Sequence, residues 1–104
     1  MTITCFIRYE IDPYAREEFA QYALNWGKVI PRCGADLIGY FAPHEGSATT
    51  AYGVYNVASL ADYEAYRGRL VADPLGQENY AFAKRGKFIR SEDRIFLRRV
   101  DTAF

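Results

Sequence analysis

Apolar side chains recur at every second position from Ile3 to Ile11, through Cys5, Ile7 and Tyr9, and the period then changes abruptly. Alternation of this kind marks a half-buried β-strand. Asp12-Pro13 follows directly and supplies a helix start, with a capping carboxylate and a proline suited to the first turn. Glu17 and Glu18 suit the positive end of the helix dipole. Phe19, Tyr22, Ala23, Trp26 and Ile30 then recur at helical spacing, which predicts a helix over about 13–32, stopped by Gly34.

The remainder repeats this grammar without residue-level identity. A second strand is predicted over 36–42 and a third over about 49–57, joined as a hairpin by the turn-forming Pro43 to Ser47. Ser59 caps a second helix, with Asp62 three residues on, and Leu60, Tyr63, Tyr66 or Arg67, and Leu70 form its inward stripe. Asp73-Pro74 ends or bends that helix, and a weaker helical piece covers about 75–86 with Phe82 and Ala83 inward. The last strand is predicted over about 93–100. The order βαββαβ is the α+β, ferredoxin-like arrangement, a four-stranded antiparallel sheet with its helices on one face. With no Ser/Gly/Pro-rich linker, a single domain over 1–104 is expected.

A sheet covered on one face only should alternate cleanly between apolar and polar residues. The middle strands do not. Leu37 and Phe41 share one face while Ile38, Tyr40 and Ala42 share the other, and Ala51, Tyr55 and Val57 oppose Tyr52 and Val54. Phe6 and Phe96 add to the side without helices. Nine Tyr, seven Phe and one Trp give more large apolar surface than one sheet and its helices should need. A second copy of the same sheet is the simplest cover, so a homodimer is expected.

The formal charge is zero, without the basic excess of a nucleic-acid binder. No stretch approaches the roughly 18 uncharged apolar residues of a membrane span, and the amino-terminal residues do not read as a signal peptide. A cytoplasmic protein with neither nucleic-acid nor membrane partner is expected. Cys5 and Cys33 read as two buried thiols, and with one histidine beside them they fall short of a structural zinc site. No cofactor is expected. Neither a phosphate-cradling glycine loop nor a nucleophile elbow occurs.

Three residues stand out for acid/base chemistry. His44, beside Glu45 in the hairpin loop, is the chain's one histidine, the side-chain type suited to proton transfer near neutral pH, although loop polarity alone explains it. Arg8 and Glu10 share the face of the first strand opposite Ile3, Cys5 and Ile7. There a guanidinium can hold a carboxylate or enolate oxygen and a carboxylate can act as a base. A structural pairing of Arg8 with Glu10, or an Arg8–Arg98 neighbourhood, is the alternative. Phe6, Tyr40, Tyr52 and Phe96 are the candidate ligand-binding lining, with Tyr40 and Tyr52 able to supply phenolic hydrogen bonds. Trp26 belongs to the core.

Leu37-Ile38-Gly39-Tyr40-Phe41, Tyr55-x-x-x-Ser59-Leu60, Leu70-Val71-Ala72-Asp73-Pro74 and Arg8, taken in order and spacing, resemble the small bacterial NIPSNAP proteins. Glu10, Tyr55 and Gly76 depart from residues common in that family, a tyrosine, a tryptophan and an aromatic respectively. The resemblance implies a dimeric α+β barrel, in which two ferredoxin-like sheets face one another around a partly enclosed space. Related dimeric barrels include cofactor-independent monooxygenases, isomerases and cyclases. The expected function is therefore a homodimer binding a small apolar or aromatic molecule between its sheets, with acid/base or oxygenase-type turnover open. In such turnover Arg8 would stabilise an oxyanion while Glu10 or His44 moved a proton. The alternative is a non-catalytic module whose aromatic sheet face serves only assembly or a protein partner.

Overall fold

A computed structural model describes residues 2–100. The elements run β1 (Ile3–Ile11), α1 (Arg16–Arg32), β2 (Asp36–Phe41), β3 (Thr50–Val57), α2 (Leu60–Ala72), α3 (Pro74–Gly86) and β4 (Ile89–Leu97). The strands form one antiparallel sheet in the order β2-β3-β1-β4. This is the expected ferredoxin-like α+β fold, with its second helical segment divided into α2 and α3.

The helices cover the face that carries Cys5, Ile7, Tyr9 and Ile11, all buried. Phe19, Tyr22, Trp26, Val29 and Ile30 of α1 meet them, together with Tyr66 and Leu70 of α2 and Phe88. The expected stripe of α1 is thus the core. Leu60 was expected inward but is 56% exposed, because the first turn of α2 has only just left β3. Both thiols are buried and unpaired.

Local chemistry sets the helix ends. Asp12 does not cap α1 directly; its carboxylate accepts from the Tyr14 amide at 2.9 Å, closing a turn that delays the helix to Arg16. Ser59 caps α2 by accepting from the Asp62 amide at 3.1 Å. Asp73-Pro74 ends α2 and begins α3: the Asp73 carboxylate accepts from the Leu75 and Gly76 amides, and Pro74 takes the first helical position. The 13-residue α3 is therefore a full helix. Asn79, fully buried, ties it to α1 by accepting from Asn25 and donating to the Tyr22 carbonyl, each at 3.0 Å.

Two strand readings change. The β2–β3 register slips between Leu37 and Gly39, so one extra residue is accommodated there as a bulge. A slip of one residue exchanges faces downstream of it. Leu37 pairs with Tyr55 and Tyr40 with Gly53, both on the helix side, while Phe41 pairs with Tyr52 on the open side. Meanwhile β4 spans 89–97 rather than 93–100, and Phe96 pairs with the core residue Cys5. Phe96 thus lies on the helix side, its ring edge-on to Tyr63 at 4.7 Å between centroids.

Candidate functional site

Adjacent antiparallel strands place directly opposed side chains on the same face. On the open face, Phe6 is opposed by Val54 and Ile95, Arg8 by Tyr52 and Asp93, and Glu10 by Thr50 and Ser91. Phe6, Arg8, Tyr52, Asp93, Ile95 and Leu97 surround a depression of about 320 Å³. Arg8 donates to Glu10 at 3.0 Å, and Glu10 also accepts from the Thr50 hydroxyl at 3.2 Å. Both donors reach the same oxygen, Oε1, and the charge-assisted bond fixes the guanidinium over the depression. Arg8 remains 54% exposed.

Of the residues expected at this site, Phe6, Arg8, Glu10 and Tyr52 do share the open face. Tyr40 and Phe96 do not; the bulge in β2 and the register of β4 on β1, in which Phe96 pairs with Cys5, place both on the helix side. His44 is exposed in the loop between β2 and β3, and no hydrogen bond or ion pair among the described residues joins it to Arg8 or Glu10. No group of three or more His, Cys, Asp and Glu residues among the described residues is arranged to hold a metal ion. No helix among them is long and apolar enough to cross a membrane.

A second concavity lies between sheet and helices, a narrow cleft of about 20 Å³. Tyrosines dominate its lining, among them Tyr9, Tyr22, Tyr40, Tyr66 and Tyr80, with Trp26 beside them. Gly53 makes room for one of these rings: a Cβ there would stand 2.7 Å from Cε1 of Tyr40. The hydroxyls of Tyr9 and Tyr40 are 3.2 Å apart. Burial raises both phenols well above their ordinary pKa and pushes Tyr22 up to about 12. At neutral pH these hydroxyls are protonated donors and acceptors, not bases.

Charge enters this cleft from β4 and α2. Arg94 opposes Ile7 and Glu92 opposes Tyr9, so both side chains start on the helix side. Arg94 donates through Nη2 to Glu92 at 2.9 Å, while its shielded Nε finds no hydrogen-bond partner. Arg67 of α2 donates to the Tyr63 hydroxyl at 3.0 Å and stands 5.9 Å from the centre of that ring. None of Arg67, Glu92 or Arg94 was expected at a site. The run Ser91-Glu92-Asp93-Arg94 is almost entirely charged and carries no alternation in hydropathy. What puts Arg94 and Phe96 on the helix side is the register of β4 on β1, which takes up one extra residue between Ile89 and Ser91.

A model of the NIPSNAP family matches residues 4–103 of this chain. Among solved structures, a NIPSNAP family protein from Agrobacterium tumefaciens is similar at 28% identity, covering 98% of this chain and 96% of that one with a TM-score of 0.79. An uncharacterized NIPSNAP-like domain protein from Burkholderia xenovorans is similar at 24% identity, over 98% and 88% of the two chains, with a TM-score of 0.78. A Nitrosomonas europaea protein provisionally named an antibiotic biosynthesis monooxygenase shares the fold at 10% identity, over 97% and 100%, with a TM-score of 0.72. No functionally curated protein matches.

Proposed function

The chain belongs to the NIPSNAP family, and we propose that it works as a homodimer that joins its open sheet faces and holds a small apolar or aromatic molecule in the depression between them. One observation carries this reading. Phe41, Tyr52, Ile95 and Leu97 are 51%, 39%, 53% and 45% exposed on the open face of the sheet, with Phe6 half-buried among them. A contiguous apolar patch of this kind on a sheet marks an interface, and a twofold pairing of identical faces closes on itself. The depression is the size of a small-molecule site, and Arg8 over it supplies a donor for a ligand oxygen.

Sedimentation velocity at micromolar concentration tests the pairing. The expected mass is twice the 11.9 kDa of one chain, and Ile95→Lys is expected to halve it; a wild-type monomer would sink the proposal. For the ligand, 1-naphthol offers an apolar ring with one hydroxyl. At 100 times its dissociation constant it should stabilise the dimer by about 2.7 kcal/mol, and Arg8→Ala should reduce that gain. A dimer indifferent to 1-naphthol and similar aromatics would leave this face to assembly alone.

A further inference from the structure

The cleft on the opposite side of the sheet points to a different chemistry. Two guanidiniums, those of Arg67 and Arg94, face one carboxylate, that of Glu92, and leave the lining with one positive charge in excess. Each arginine spends part of its donor fork on a neighbour, Arg94 on Glu92 and Arg67 on Tyr63. Five donors per guanidinium leave the remainder unspent. The shielded Nε of Arg94 is such a donor without a partner, and a buried donor left unmatched is costly in a native structure. Around these groups the walls are phenol rings, whose protonated hydroxyls also donate.

The cleft is narrow. Its volume of about 20 Å³ admits one group the size of an oxygen atom or water. It reaches solvent along lining residues that keep exposure, Tyr80 at 40% and Glu92 at 34%, so the body of a ligand can rest outside while one oxygen enters. Trp26 stands beside this route, its ring 5.0 Å from that of Tyr80.

We infer that this cleft is a binding site for a small monocarboxylate, whose oxygen is received by Arg94 and Arg67 among the tyrosine hydroxyls while a flat apolar body lies against Tyr80. Guanidinium and carboxylate match in charge and in planar geometry. The site is separated by the sheet from the open-face depression and does not depend on it.

Trp26 is the chain's one tryptophan and lies in the lining, so its emission reports entry into the cleft. Titration of the full chain with benzoate is expected to give a saturable change in that emission. Benzamide, of the same shape but uncharged, should not reproduce it. Arg94→Gln and Arg67→Gln should each weaken benzoate binding by about tenfold or more, and Arg85→Gln, at an exposed arginine of α3 outside the cleft lining, should leave it unchanged. Should Arg94→Gln fail to fold by circular dichroism, Arg67→Gln decides alone, since its side chain is only partly buried. The inference is overturned by no saturable response to benzoate, by an equal response to benzamide, or by binding that folded arginine variants leave intact. Loss of the response in Arg85→Gln would also overturn it, showing that an arginine outside the cleft serves as well.

Discussion

Asp73 makes two kinds of contact at once. Arg32 grips its carboxylate with Nε at 2.8 Å and Nη2 at 2.7 Å, while the Leu75 and Gly76 amides at the start of α3 donate to the same group. The Arg32 hydrogen bonds, seconded by those amides, hold the Asp73 carboxyl down at about 2. A carboxyl whose folded pKa is depressed contributes stability that is present above its unfolded pKa, near 3.8, and is lost as pH falls through about 2. Asp73→Asn keeps an oxygen for the helix amides but loses the charge that Arg32 grips. The variant is therefore expected to unfold at lower urea than wild type at pH 5, and the gap should narrow towards pH 2. A gap independent of pH would show that the ion pair contributes nothing. The break at Asp73-Pro74 is visible in the sequence, because the residue before a proline is biased away from helix, whereas the pairing of Asp73 with Arg32, 41 positions away, does not appear in it.

At the level of elements, the corner between α2 and α3 depends on the absence of a side chain. A Cβ on Gly76 would sit 2.8 Å from the Leu70 carbonyl oxygen and 3.5 Å from a Val29 methyl, and a backbone carbonyl in a helix cannot swing aside. Gly76→Ala is expected to cost about 1–3 kcal/mol, read as a lower urea midpoint, and an unchanged midpoint would mean that the corner opens freely. Here the chain departs from an aromatic common in its family, and the closeness of the corner explains why none fits. Strand faces were legible in β1, whose nine-residue alternation needs no register to interpret. They were misread in β2, where a bulge carries no mark in hydropathy, and in β4, where charged residues conceal the period. Tyr40 and Phe96 changed faces for those reasons.

At the scale of the whole molecule, the sheet divides two chemistries: exposed apolar side chains with Arg8 on one side, tyrosines with Arg67 and Arg94 on the other. If a second copy covers the open face, association is coupled to folding and stability rises with protein concentration. Heating the chain at concentrations spanning about a hundredfold should raise the midpoint temperature progressively, and Ile95→Lys should remove the dependence. A wild-type midpoint that stays constant would speak against assembly through this face. The sequence by itself determined the order of strands and helices, the core stripe of α1, the cap at Ser59, the break at Asp73-Pro74, and the apolar excess on both sheet faces. Each of these follows from the period of side chains along one segment or from a turn of a few residues. The tertiary structure alone decided the register of β2 and β4, and with it the neighbours of Tyr40, Arg94 and Phe96. Register is set between strands, and for β4 on β1 across most of the chain, through hydrogen bonds whose backbone partners are the same whatever the side chain.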